Sequence, residues 1–239
     1  MRKTILNIFF PKTCPVCGEV LGKNEEICET CRKKLLYVQE PKCKKCGKPF
    51  DGRDEDAQYR EYCRDCMKGK HIYDTGMAVF QYNEEIKESI YRFKYHNQRT
   101  YADFYGKAMA EKYGEAIKEM GIEVLIPVPI SEKKRVKRGY NQAELIADVL
   151  GECLSIPVQK EKLMRIRDTV PQKELSYEER RNNLKSAFKI RKNIVEYKKV
   201  LVVDDIYTTG STIDACAKAL KEAGAKQVCF ISLAIGAGI

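Results

Sequence analysis

The chain has 239 residues, of which 44% are hydrophobic and 33% charged, with a formal net charge of +10. This is an ordinary globular balance with room for a packed core, in one large domain or two smaller ones. No apolar run reaches the roughly 18 residues that a membrane span needs, and the positive charge favours acidic partners: phosphorylated small molecules, nucleic acid or an anionic membrane face.

The chain opens on "MRKTILNIFFPKTC". A basic start and a short apolar stretch resemble a secretion signal, but no small-residue cleavage site follows and a cysteine cluster begins at once. The stretch reads as a helix that docks on the protein, and a cytoplasmic location follows from that reading. Eight of the eleven cysteines then fall within the first 66 residues, as four CxxC pairs: Cys14/Cys17, Cys28/Cys31, Cys43/Cys46 and Cys63/Cys66. Two thiolates two residues apart can grip one metal from a tight turn, and two such turns complete a tetrahedral site. "CPVCG" and "CKKCG" each carry a glycine after the second cysteine, as a knuckle turn needs. The segment reads as a duplicated zinc ribbon with two structural zincs, one on Cys14, Cys17, Cys28 and Cys31, the other on Cys43, Cys46, Cys63 and Cys66. An interleaved pairing satisfies the same spacing. Disulfides would need an oxidising compartment, and a redox CxxC expects one motif beside a βαβ pattern rather than four in a row. Four sulfurs also close each site and leave no position for a catalytic water. Residues 1–70 hold 16 Lys and Arg against 11 Asp and Glu. Eight metal-bound thiolates and two Zn²⁺ would bring that excess to about +1, because such thiols are deprotonated. The remaining positive charge belongs to the rest of the chain.

A division near residue 73 separates this front unit, 1–73, from 74–239, where strand-like and helix-like patterns alternate. "GMAVFQY" reads as a strand. "EEIKESIYRFKYH" is a helix with Ile86, Ile90 and Phe93 on one face, and "YADFYGKAMAEKYGEAIKEM" is a longer one. "VLIPVPI" is a short buried strand, and "NQAELIADVLGECL" a helix facing inward with Ala143, Ile146, Ala147 and Leu150. "KVLVVDD" has no alternation, as expected of a parallel strand covered on both faces. "STIDACAKALKEAG" is a helix turning in Ile213, Cys216, Ala217 and Leu220 and ended by Gly224, and "QVCFISLAI" is a further strand. Strands alternating with helices predict an α/β fold, a doubly wound parallel sheet preceded by the cysteine-rich module.

Ligands of such sheets bind beyond the carboxyl ends of the strands. There stands "VLVVDDIYTTGST", residues 200–212. Its loop offers backbone N–H groups, hydroxyls and a helix N-terminus to one anion, and Gly210 lets the backbone come close. Asp204 and Asp205 cannot bind that phosphate, so vicinal hydroxyls or Mg²⁺ are their natural targets. A phosphate beside a diol is a ribose 5-phosphate.

This stretch resembles the phosphoribosyl-pyrophosphate (PRPP) signature of type I phosphoribosyltransferases. Together with "CPVCG", "FKYHN", "IPVPISEKKRVKRGYNQAELIA" and "RDTVPQKELSYEERRNNLKSAF", it makes the whole chain similar to the ComF family, associated with natural transformation. The resemblance implies that Asp204 and Asp205 are the catalytic acids, holding ribose hydroxyls and Mg²⁺. Thr208, Thr209, Gly210, Ser211 and Thr212 would cradle the 5-phosphate. Val128 and Pro129 would form the pyrophosphate loop, with Arg138, Asn141 and Gln142 behind it. A mobile lid would carry Arg167, Thr169, Gln172, Arg180 and Asn183, excluding water from a cation-like ribose. The implied chemistry displaces pyrophosphate from the anomeric carbon by a base nitrogen, through an oxocarbenium-like transition state. Related enzymes that use 6-oxopurines carry an acid where this chain has Thr208, and a hydroxyl is no general base. A guanine or hypoxanthine enzyme is therefore not expected, and the acceptor base stays open. The implied partners are PRPP, single-stranded DNA and competence proteins such as a DNA-translocating helicase. The alternative is a non-catalytic protein that keeps the fold to bind single-stranded DNA and partners, through basic stretches at 131–138 and 180–199 with Tyr140 and Tyr197 available for stacking.

Overall fold

Alternate residues of the uninterrupted apolar strand "KVLVV" point to opposite faces, so both faces of its sheet must be covered. In the computed structural model, which describes residues 11–50, 59–69, 71–166, 187–191 and 196–236, they are. Four parallel strands, β1 (Gly76–Gln81), β2 (Val124–Pro127), β5 (Lys199–Tyr207) and β6 (Gln227–Ile235), lie in the order β1-β6-β5-β2. Leu201 and Val203 of β5 join a core with Val79, Ile231 and three helices, α3 (Glu84–Tyr95), α4 (Tyr101–Glu119) and α6 (Gln142–Leu154). Val200 and Val202 face the other way, into a core with Val228, Phe230 and helix α7 (Ser211–Glu222). The predicted inward residues of α3, α6 and α7 are all buried.

β5 pairs with β6 from Lys199↔Gln227 to Tyr207↔Ile235, but with β2 only from Val124↔Val200 to Pro127↔Val203. The acids of β5 thus stand one and two residues beyond the end of its neighbour. From β2 the chain runs outward through α6 to Val158, which bridges Leu125 in parallel. From β5 it runs inward through α7 to β6. This reversal between β2 and β5 is a switch point, where such sheets hold their ligands.

Three elements depart from the sequence reading. The strand read over "VLIPVPI" stops at Pro127. The basic run after it forms a short helix, α5 (Glu132–Arg138), with no buried residue and Gly139 ending it at φ 75°. Its single apolar residue, the exposed Val136, leaves no periodicity to read. The third is an antiparallel pair, β3 (Leu163–Arg165) with β4 (Phe188–Ile190), too short to stand out in the sequence. These two strands bracket residues 167–186. The lid assigned there, with Arg167, Thr169, Gln172, Arg180 and Asn183, lies outside the described residues, as does most of the amino-terminal stretch read as a docking helix.

The front segment repeats one unit twice. In each, an antiparallel bridge flanks a knuckle, Thr13↔Val20 and then Lys42↔Pro49. Gly18 and Gly47 sit at φ 83° and 74°, the left-handed turn that their lack of Cβ permits. The second cysteine pair of each unit starts a helix: Cys28 caps α1 (Glu29–Lys34) and Cys63 caps α2 (Arg64–Met67). The units straddle the sheet. Cys14, Ile27 and Cys31 join the α3/α4 core, whereas Cys43, Cys46 and Cys66 join the α7 core. Between them, residues 36–38 run antiparallel to β1, with Val38 N–H bonded to the Val79 carbonyl at 2.9 Å and Gln81 N–H to the Leu36 carbonyl at 2.8 Å.

Candidate functional site

β5 delivers Asp204 and Asp205 side by side, and the loop after it closes on Gly210, whose φ of 77° caps α7. The first N–H groups of a helix have no partner within it, so the start of α7 offers a donor-lined anion seat. Ser211 is buried and its hydroxyl meets that of Thr209 at 2.9 Å, while Thr208 points to solvent. A Cβ on Gly210 would lie 2.7 Å from the Tyr207 hydroxyl and 2.8 Å from Cε1 of His71, so the loop fits only glycine there.

The two acids are not equivalent. Burial, and after it the charge of Asp205, raises Asp204 to about 7, against the pull of the Asp205 N–H, Lys94 and Arg165. Asp205 is paired with Lys94, whose Nζ lies 2.7 Å from Oδ2, both side chains mostly buried. Lys94 comes from the last turn of α3, more than a hundred residues away in sequence, and no local pattern singles it out.

The residues assigned to pyrophosphate divide. Val128 and Pro129 follow β2 directly, and the Val128 N–H donates to the carbonyl of Val203, the residue before the acids, at 2.9 Å. Asn141 is buried and structural. It caps α6 through the Ala143 N–H and donates to the Val128 carbonyl at 2.9 Å, which ties the loop to the helix. Arg138 donates to Gln142 Oε1 at 2.9 Å and to the Tyr95 hydroxyl at 3.0 Å, and stacks over the Tyr95 ring at 4.9 Å. Gln142 is buried, and its Nε2 has no partner among the described residues. Lys134 belongs to the same cationic group, held below its ordinary range by its surroundings and by the like charges of Arg165, Arg138 and Lys94.

The stacking residues offered by the sequence are corrected. Tyr140 is buried and donates its hydroxyl to the Phe93 carbonyl, and Tyr197 is half-buried beside Gln159. Among the exposed tyrosines, Tyr91 and Tyr95 are the two beside Lys94 and Arg138, one helical turn apart on α3 with centroids 4.9 Å apart. Their spacing is visible in the sequence, but the face they occupy is decided by the burial of Ile86, Ile90 and Phe93.

The cysteines fall into the two sequential tetrads, each with its four sulfurs within 4.8 Å of one another. On a tetrahedron with Zn–S of about 2.3 Å, sulfurs lie about 3.8 Å apart. Cys17 and Cys28 are 3.8 Å apart and Cys46 and Cys63 3.7 Å, so both donor sets suit a tetrahedral zinc.

Comparison with known proteins follows this division. Residues 5–67 match the double zinc ribbon domain and residues 137–237 the phosphoribosyl transferase domain. Competence protein F of Haemophilus influenzae is 33% identical over 92% of this chain and 95% of its own length. The chain belongs to the ComF family. Other members similar to it are competence protein ComFC of Bacillus subtilis, 28% identical over 86% of this chain and 82% of its own, and the DNA utilization protein YhgH of Escherichia coli O157:H7, 26% identical over 91% and 94%. A purine phosphoribosyltransferase structure from Pyrococcus horikoshii covers 56% of the ComF chain and 72% of its own at 21% identity, with a TM-score of 0.34. Among the described residues of this ComF protein, no helix is long and apolar enough to cross a membrane.

Proposed function

We propose that this chain binds Mg²⁺-PRPP at the carboxyl ends of β2 and β5 and serves natural transformation on the cytoplasmic side, handling incoming single-stranded DNA. The observation that carries the reading is the adjacency, at one switch point, of a glycine-capped anion seat and a mostly buried acid pair. The names of the relatives, competence protein and DNA utilization protein, support the transformation role, and the reduced thiols that two zinc sites need support the location.

In this reading the loop from Thr208 to Thr212 holds the 5-phosphate by backbone N–H groups and hydroxyls. Asp204 and Asp205 take the ribose hydroxyls and the metal, and Lys94 releases Asp205 as they do so. The turn at Val128 and Pro129 shapes the pyrophosphate side of the site without donating to it, since the Val128 N–H is given to the Val203 carbonyl and Pro129 has none; the charge of Arg138 is what attracts the pyrophosphate. Asp204 and Asp205 would hold Mg²⁺, which would supply charge neutralisation for a pyrophosphate leaving group. The chain itself supplies position and fixed charge, and no covalent nucleophile is required. Thr208, exposed and neutral, gives a 6-oxopurine no general base. Titration of Mg²⁺-PRPP into the zinc-loaded protein by calorimetry tests the site. Binding that disappears in the Asp204→Ala/Asp205→Ala variant supports it, and unchanged affinity in that variant refutes it.

The exposed Tyr91 and Tyr95, with Lys94, Lys134 and Arg138 around them, favour a second reading in which the same face holds single-stranded DNA without transfer chemistry. Bases stack on such rings and phosphates seek such cations. Binding should then weaken steeply with salt. An affinity for single-stranded DNA that ignores salt, or none at about 50 mM salt where phosphate contacts are strongest, would eliminate it.

A further inference from the structure

The phosphate loop has two ends, Tyr207 at the close of β5 and Asp214 in the first turn of α7, and residues of the front segment hold both. Both carboxylate oxygens of Asp214 are taken by consecutive residues: His71 Nδ1 lies 2.8 Å from Oδ2, and the Ile72 N–H donates to Oδ1 at 2.7 Å. Two residues on, the Tyr73 hydroxyl meets that of Tyr207 at 2.7 Å. His71 and Tyr73 stack on each other with ring centroids 4.9 Å apart, and both are buried. Burial raises both phenols, so they stay neutral partners. Residues 71–73 follow the last cysteine pair after four residues, and their backbone is tied to the second knuckle. Lys45, between Cys43 and Cys46, donates its Nζ to the His71 carbonyl at 3.0 Å, and its own carbonyl accepts from the Gly76 N–H at 2.7 Å.

The first ribbon has no such link among the described residues. Its polar contacts run to α3 and α4 on the opposite face, through Arg92 to the Pro15 and Val16 carbonyls, Lys12 to Asp103 and Lys107 to Glu26. Packing alone does not explain a histidine at position 71 either. Its Nε2 is buried without a partner among the described residues, a loss that an apolar side chain would avoid. What histidine supplies there is Nδ1, at the distance of an ionic hydrogen bond to the carboxylate at the start of α7.

We propose that zinc in the second ribbon fixes the shape of the phosphate loop through His71 and Tyr73, while zinc in the first ribbon does not. His71 is a positioning residue in this scheme. It acts on the anion seat through Asp214 and touches no substrate. The inference rests on the PRPP reading only for its consequence in binding, since the coupling of metal to loop has its own readout.

That readout is amide hydrogen exchange over residues 207–216 in the full-length, zinc-loaded protein, with zinc content measured alongside. Cys66→Ser, which removes a ligand of the second site, should speed exchange in this segment about tenfold, the factor corresponding to about 1.4 kcal/mol. Cys31→Ser should leave the segment as in the parent protein. His71→Ala, which keeps both zincs, should loosen the segment in the same way, and His71→Asn, which returns a donor near the Nδ1 position, should restore its protection. Parent-like exchange in His71→Ala overturns the proposal even if Cys66→Ser fails to fold. Equal loosening by Cys31→Ser and Cys66→Ser also overturns it. Mg²⁺-PRPP titration of the same proteins separates the two readings. A parent protein that binds no PRPP refutes the ligand while the exchange data still decide the coupling.

Discussion

Replacing Gly210 by alanine tests the packing of the phosphate loop with a single methyl group. Two terms add. The residue sits at φ 77°, in a region that costs an L-residue roughly 1–2 kcal/mol. The new Cβ would also lie 2.7 Å from the Tyr207 hydroxyl and 2.8 Å from the His71 ring. Neither neighbour is a loose side-chain end. To retreat, Tyr207 must leave Tyr73 or His71 must leave Asp214, and a buried hydrogen-bonding group left without its partner costs about 1–3 kcal/mol. Gly121 supplies the control. It has φ 66°, but its Cβ would meet only the flexible end of Lys199, at 3.3 Å. Gly121→Ala therefore carries the backbone term alone, and Gly210→Ala should be less stable by about a further 2 kcal/mol. For a chain of this size that separates the two melting temperatures by about 4–8 °C. Scanning calorimetry on both variants, zinc-loaded and without ligand, reads the difference directly. Equal shifts would mean that the loop moves freely away from His71 and Tyr207, and the clamp described above would be wrong.

Asp204 gives a pH prediction of definite sign. Its raised value of about 7 means that the free site favours the protonated acid, whereas a metal or diol site needs the carboxylate. Mg²⁺-PRPP affinity should fall about tenfold per pH unit below 7, and a flat profile between pH 5.5 and 8 would refute the assignment. In the free protein the contribution runs the other way: stability from Asp204 is full below the ordinary carboxylate range near 4 and lost as the pH rises through 7. Asp204→Asn should therefore stabilise the ligand-free chain at pH 8 while abolishing PRPP binding, as thermal melts and titration would register. Native mass spectrometry should find two zinc ions per chain, and a spectrum with disulfides and no metal would eliminate the ribbon sites. Tyr95→Ala should weaken single-stranded DNA binding by about 1–3 kcal/mol per lost stack with an unchanged salt slope, whereas Lys134→Ala should lower that slope; fluorescence anisotropy across a salt series separates the two.

The sheet was legible because its strands are unbroken apolar runs and its helices carry clear inward stripes, as with Ile213, Cys216, Ala217 and Leu220. The metal ligands were legible because each pair is local and the pairs repeat. What stayed hidden was assembled across the fold. Lys94 reaches Asp205 from the end of a different helix, and His71 reaches Asp214 from the front segment, with nothing in either local pattern to announce the meeting. Tyr140 failed as a stacking residue because a tyrosine in a polar stretch looks exposed, and only the packing of Phe93 beside it shows where its hydroxyl goes. Arg138 and Gln142 stand near the expected loop, but the stack on Tyr95 that holds Arg138 was not written in their spacing.

The strip at residues 36–38 that lies along β1 has a further consequence. A parallel sheet ending in β1 would present a row of unpaired backbone groups, a template on which another chain can add a strand. Here the linker between the two ribbons fills that row, with Val38 and Leu36 bonded to Val79 and Gln81. The front segment thus covers the open edge of the sheet as well as holding the two ends of the loop before α7. Production of residues 74–239 alone should yield a sticky protein that self-associates through its bared edge. Loss of zinc would then expose the chain to aggregation through that edge.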